Sequence, residues 1–227
     1  MLHSLRLLLV FGTVAWWAGS AAALFVPTVD TRYVGVYYES FCPGCGPEGE
    51  DVLFIDSDGL TASGFNPFSA FVDAGSTYTA TQNSSVSAAL LTGSGQAGGE
   101  TGEVGNATSV YDITFDVDGA TPYDISGTLE NSSSGATLNF QLLQDGNVVH
   151  DYNAESVFGS SPFAFSGVLL PGSSYRVIVE ATINESIGQL NWSFSMSAVP
   201  EPGTAVLLAL GAAGLGSIRS RRATGRR

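Results

Sequence analysis

Leu190-Asn191-Trp192-Ser193-Phe194-Ser195-Met196-Ser197 carries a large apolar side chain at every even number and a small polar one at every odd number. In an extended strand, successive side chains project to opposite faces. The octet therefore reads as a β-strand with one face in a core and the other in water. The same two-residue period recurs upstream. Tyr111, Ile113, Phe115 and Val117 alternate with Asp112, Thr114, Asp116 and Asp118, and Leu138, Phe140 and Leu142 alternate with Asn139 and Gln141. Phe163 and Phe165 lead to Leu169, a turn at Pro171-Gly172 and a further strand over Tyr175–Thr182. Gln144-Asp145-Gly146-Asn147 and Ser132–Gly135 supply turn chemistry between the runs. Helical spacing persists for no more than two turns anywhere in this region.

Half-buried strands at such intervals predict an all-β body, an antiparallel β-sandwich or jelly-roll-like fold. Tyr33–Tyr38, Val52–Ile55 and Phe68–Val72 add further strands. The Gly/Ser/Thr-rich stretch 93–109 reads as a loop or linker and as the best boundary. The expected organisation is a signal peptide at 1–23, an N-terminal β region at 24–92, the loop or linker at 93–109, a β-sandwich region at 110–198 that the earlier strands either join as one sandwich or cap as a small separate unit, and a distinct terminal segment at 199–227.

All eight basic residues of the 227 are arginines. Only Arg32 and Arg176 lie between residues 24 and 199, against 20 acidic residues, which leaves that body at −18. Such a field repels nucleic acid, so a nucleic-acid partner is not expected. With 44% hydrophobic and 11% aromatic residues, the chain nevertheless has the material for a core and does not read as disordered.

Both ends look like addresses. MLHSLR, then LLLVFGTVAWW, then AGSAAA is a basic start, an apolar run and a small-residue exit, the pattern of a secretory signal peptide. Ala21 and Ala23 would fill the small-residue pockets of signal peptidase for a cut after Ala23, and a cut after Ala21 fits as well. Left uncut, the run would be a membrane anchor. At the other end, Gly203–Ile218 holds 16 residues without a charge. As a helix they reach about 24 Å, short of a hydrocarbon core of about 30 Å. Arg219, Arg221, Arg222, Arg226 and Arg227 follow and would hold the tail in the cytoplasm while the body is exported. A short transmembrane helix of this kind suits a temporary hold.

Pro200-Glu201-Pro202, the apolar segment and the terminal arginines together resemble the PEP-CTERM sorting domain of bacterial exported proteins. The resemblance implies recognition of Pro200, Glu201 and Pro202 by an exosortase-type membrane processing enzyme. It implies a precursor in the inner membrane, a mature form at the cell surface or outside it, and a link to exopolysaccharide and biofilm. Two prolines around a glutamate keep that backbone extended, as a processing enzyme requires. Residues 77–198 also resemble the Ser/Gly-rich β domain of such proteins, and LLPGSSYRVIVEA is similar to the end of bacterial pre-peptidase C-terminal domains.

Candidate chemistry in the body is thin. Cys42-Pro43-Gly44-Cys45 most simply forms a disulfide in an exported chain, with a redox pair or half a metal site as alternatives. His3 leaves with the signal peptide, and His150 beside Asp151 could act as a base, but no serine sits in a nucleophile-elbow context. Asp56-Ser57-Asp58-Gly59 and Asp116-Val117-Asp118-Gly119 hint at calcium without completing a ligand set. Trp192 lies on the apolar side of its strand, whereas Tyr33, Tyr37 and Tyr38 occupy both faces of theirs. The resulting expectation is a non-enzymatic surface or matrix protein with no catalytic residue, metal or cofactor, and a carbohydrate-binding module is the alternative.

Overall fold

Leu190, Trp192, Phe194 and Met196 all turn into the interior, and the strand that carries them is hydrogen-bonded along both edges. The computed structural model describes residues 24–42, 52–74, 77–100, 104–134, 136–155 and 158–199. Within them run β1 (Phe25–Asp30), β2 (Tyr33–Cys42), β3 (Val52–Thr61), β4 (Phe68–Ala74), β5 (Tyr78–Val86), β6 (Leu90–Gly99), β7 (Val104–Val117), β8 (Thr121–Asn131), β9 (Ala136–Gln144), β10 (Asn147–Asn153), β11 (Gly159–Leu169), β12 (Tyr175–Asn184) and β13 (Gly188–Ala198). One sheet has the order β10-β9-β12-β7-β2-β3, with β1 on the remaining length of β7, and the other has the order β11-β8-β13-β6-β5-β4. Their inner faces pack together as a two-sheet antiparallel sandwich, and Leu24–Ala198 forms one unit.

The early strands join this sandwich: β2 and β3 belong to the first sheet and β4 to the second. The stretch 93–109 is not a linker. It is the later part of β6 and the start of β7, with residues 100–103 between them. Composition misleads here because the glycines answer to packing. Gly95 pairs with Trp192 and Gly93 with Phe194. A Cβ on Gly95 would overlap the Trp192 indole and the Ser109 hydroxyl, and one on Gly93 would come within 2.7 Å of the indole. Bulk on β13 is thus matched by its absence on β6, which is how an interior reaches crystal-like density. Phe194 meets a second glycine, Gly127, on its other side. Ser109 of β7 accepts the indole N–H at 3.2 Å and donates to the Thr81 carbonyl at 2.8 Å, so the Trp192 layer is hydrogen-bonded from one sheet to the other.

A polar knot sits where β1 gives way to β2. Past a register shift between Pro27 and Val29, the end of β1 and β2 run along β7 in the same register, Asp30 opposite Ile113 and Tyr33 opposite Val110, with Thr31 N donating to Asp112 O at 3.0 Å between them. The Arg32 side chain is 0% exposed and its Asp30 partner 3%. Nε and Nη2 of Arg32 donate to the two Asp30 oxygens at 2.9 and 2.6 Å. Nη1 donates to Ser84 Oγ of β5 at 3.0 Å, and Nη2 also reaches the Gly64 and Asn66 carbonyls at 3.1 and 2.8 Å. Gln82 completes the knot. In the amide orientation that satisfies both of its ends, the nitrogen donates to Val110 O at 2.9 Å and Tyr33 O at 3.2 Å, and the oxygen accepts from Ser84. One guanidinium therefore ties the first sheet, the segment crossing from β3 to β4 and the second sheet together.

Two stability outcomes follow from this packing. Arg32→Ala should cost about 3–5 kcal/mol in urea unfolding because Asp30 is left buried without its partner, and Arg32→Met with Asp30→Leu should recover much of the loss. Gly95→Ala should cost about 1–3 kcal/mol through overpacking against Trp192. Gly146→Ala, with open space around it, would show only the smaller strain of its positive φ in the same assay.

Candidate functional site

The two ends of the body meet at one turn. Ser87 closes the β5–β6 hairpin: its amide donates to Leu90 O at 2.9 Å, and its hydroxyl accepts from Leu90 N at 3.1 Å. This leaves the carbonyls of Ala88 and Ala89 directed outward. Ala88 O accepts Phe25 N at 2.7 Å and Ala89 O accepts Ala198 N at 3.0 Å. The first strand and the last are thus fastened to adjacent peptide units. Leu24 N, one residue earlier, donates to Asp118 Oδ1 at 2.9 Å in the β7–β8 turn. Ala198 also pairs with Tyr123 across β8.

Ala21, Ala23, Pro200, Glu201, Pro202, Arg219, Arg221, Arg222, Arg226 and Arg227 lie outside the described residues, as does Cys45; Cys42 ends β2 by its backbone. What the structure supplies is the frame on which the two addresses end. Leu24 and Val199, the last described residues on either side, emerge beside the same hairpin turn.

The two cationic charges of the body are engaged internally. Arg176 of β12 donates to both oxygens of Asp112 at 2.8 and 2.6 Å, and that bond holds its guanidinium above the usual range. With Arg32 on Asp30, each arginine of the body meets an aspartate. Asp118 of the calcium-like Asp116-Val117-Asp118-Gly119 stretch receives Leu24, and among the described residues no group of three or more His, Cys, Asp or Glu side chains is placed to hold a metal ion.

His150 is drawn into the gap between the sheets. Its Nε2 lies 2.8 Å from Tyr123 Oη and its ring stacks on Phe165 at 4.4 Å and 12°. Asp151 points the other way and accepts Gln141 Nε2 at 3.2 Å. Burial lowers the imidazole pKa and raises that of the Tyr123 phenol. The pair reads as packing with a satisfied hydrogen bond. Trp192 is core, and Tyr38 turns inward with its ring centroid 6.3 Å from that of Tyr78. Tyr33 is the exposed member of its strand's tyrosines at 37%, its ring lying over Gly35 and Gly59. Tyr37 donates to Glu39 Oε2 at 2.6 Å, which raises its phenol pKa.

Sequence reasoning passed over Arg32, Asp30, Gln82 and the Ala88-Ala89 turn. The one available signal was Asp30-Thr31-Arg32 itself: two opposite charges on the same face of an extended segment, one of them among the body's two cations.

The PEP-CTERM protein-sorting motif matches residues 198–222. No curated protein matches the chain. Solved structures with partial likeness include the enzymatically active domain of bacteriophage CBA120 tailspike protein 4, with a TM-score of 0.31 and 16% identity, covering 55% of this chain and 20% of that one. Infectious bursal disease virus, Gx strain, gives a TM-score of 0.28 at 11% identity, with 81% and 59% covered. The GH31 alpha-xylosidase of Xanthomonas citri gives 0.21 at 10%, with 71% and 28% covered. The chain spans less than two thirds of each of these proteins, and no function transfers from them. The C-terminus therefore carries a PEP-CTERM sorting motif, the mark of an exported protein sorted by an exosortase-type enzyme.

The half-buried imidazole gives a testable pH dependence. Because folding lowers the His150 pKa below its ordinary 6.5, the unfolded chain takes up the proton first. Stability should be full above that value and decline as pH falls through it. His150→Phe should flatten this part of a denaturant-midpoint profile, and an unchanged slope would assign it to other groups.

Proposed function

We infer that this protein is a non-enzymatic component of the bacterial cell surface or extracellular matrix. It is exported through its N-terminal signal, held by its C-terminal segment, and processed near Pro200-Glu201-Pro202 by an exosortase-type enzyme. The observation that carries this reading is a coincidence of position: the sorting motif begins at Ala198, the residue at which β13 ends. Nothing of the sandwich extends past the motif's start among the described residues, so processing beyond Val199 would leave every strand intact. A cut before Ala198 would shorten a strand paired on both edges. Pro200, Glu201 and Pro202 then act as the recognition signal and the terminal arginines as the orientation lock.

The outward side of the second sheet supports a role among hydrated polymers. Across it run Ser69, Asn83, Ser94, Ser193 and Thr128 in one cross-strand row, and Ser85, Thr92, Ser195 and Ser126 in another. In these two rows hydroxyls and amides present donors and acceptors, while Asp73, Asp124 and Glu130 bring carboxylates to the same face; such a polar surface is compatible with exopolysaccharide in a biofilm. The alternative is a dedicated carbohydrate-binding module, favoured by the exposed Tyr33 ring lying over two glycines. Saturable glycan binding abolished by Tyr33→Ala would select it.

Intact-mass analysis of the surface-released protein tests the main reading. The expected product lacks the N-terminal segment and the arginine tail yet retains everything through Val199, and Glu201→Ala should leave the protein in the membrane fraction. A released protein that still carries Arg226 and Arg227 would overturn it.

A further inference from the structure

Signal peptidase acts by hydrolysis: water breaks the Ala23–Leu24 peptide bond, its hydroxyl goes to the Ala23 carboxyl, and the Leu24 nitrogen gains a hydrogen and then, near neutrality, a further proton. The nitrogen so released is the one that already lies 2.9 Å from Asp118 Oδ1. We propose that cleavage after Ala23 turns this hydrogen bond into an ion pair between the Leu24 α-ammonium and the Asp118 carboxylate, so that maturation itself fastens β1 to the β7–β8 turn. The proposal rests on the signal-peptide reading and adds to it a cut position and a consequence.

Three observations support it. Phe25 N is held by Ala88 O at 2.7 Å and Phe25 pairs with Val117, so the residue after the new terminus is fixed and the ammonium has little freedom to leave Asp118. A cut after Ala21 would instead place the ammonium two residues away, up to about 7 Å along an extended chain. It would leave Leu24 as an ordinary amide. The charged groups around the nitrogen are also of one sign. β7 and its turn bring Asp116 and Asp118, whereas the Ser87–Leu90 turn and residues 197–199 at the end of β13 carry no ionisable side chain. The two arginines of the body are engaged elsewhere, on Asp30 and Asp112. A cation placed here meets carboxylates and no competitor, and the protonated amine is favoured.

The composition makes the test clean. The chain contains no lysine, so the α-amine is its one primary amine and an amine-selective acylating reagent reports on it alone. The matured, exported protein is expected to begin at Leu24. At pH 7.5 its amine should be acylated about 2.5-fold more slowly than that of a peptide with the same first residues, the effect of a half-unit rise above the ordinary α-amino pKa of about 7.7–8.0. Asp118→Asn should restore the peptide rate and Asp116→Asn should move it less. Should Asp118→Asn fail to fold, 1 M salt on the wild-type protein provides the second arm, since screening an exposed pair should bring its rate toward the peptide's. A protein that begins at Leu24 with equal rates in wild type and Asp118→Asn, or with no response to salt, overturns the ion pair. A mature chain beginning at Ala22 overturns the cut position and leaves export standing, whereas an uncut chain beginning at Met1 overturns the signal-peptide reading itself.

Discussion

β13 is the last strand of the body and lies in the interior of its sheet, bonded to β6 on one side and β8 on the other. A strand in that position cannot be added as an afterthought. Until it arrives, β6 and β8 present unpaired edges, Gly93 and Gly95 face an empty layer, and the Ser109 hydroxyl lacks its indole. The second sheet can close only when residue 198 has joined the fold, and the sorting motif starts at that residue. The body is thereby completed immediately ahead of the segment that directs its sorting.

The polar interior of the sandwich is as specific as its apolar packing. A body with 20 acidic residues could have kept every charge in water, yet Asp30 and Arg32 lie buried together. A buried pair of this kind contributes little net stability compared with a hydrophobic replacement, because desolvation offsets most of the attraction. Its effect is positional. The guanidinium satisfies carbonyls at Gly64 and Asn66 that no strand would serve, and so decides where the chain leaves the first sheet for the second. Gln82 performs the same task for Tyr33 and Val110 from the opposite side. Apolar packing sets how tightly the sheets approach, and this network sets which strands lie opposite one another.

Much of the fold was legible in the sequence because alternation is a direct consequence of strand geometry. Leu190 to Met196 and Tyr111 to Val117 point inward as their spacing predicts, and the early strands from Tyr33, Val52 and Phe68 take their places in the same sandwich. The stretch 93–109 failed because glycine has two meanings. In a turn it supplies backbone freedom, and in β6 it supplies room for a neighbour's indole, a fact visible only once Trp192 is known to lie opposite. The sorting address was legible from its order of parts alone. The site where the body's ends meet was not, since hydrogen bonds from Phe25 to Ala88 and from Ala198 to Ala89 join residues far apart in the chain and involve backbone atoms, which leave no trace in residue type.

The dependence of the whole sandwich on its final strand can be measured directly by comparing urea unfolding of a chain spanning residues 24–199 with one stopped at Ile187. The longer chain should unfold in one sigmoidal transition followed alike by Trp192 fluorescence and circular dichroism, and the shorter should show no cooperative transition by circular dichroism. A shorter chain that unfolds cooperatively at the same urea concentration as the longer one would contradict the account.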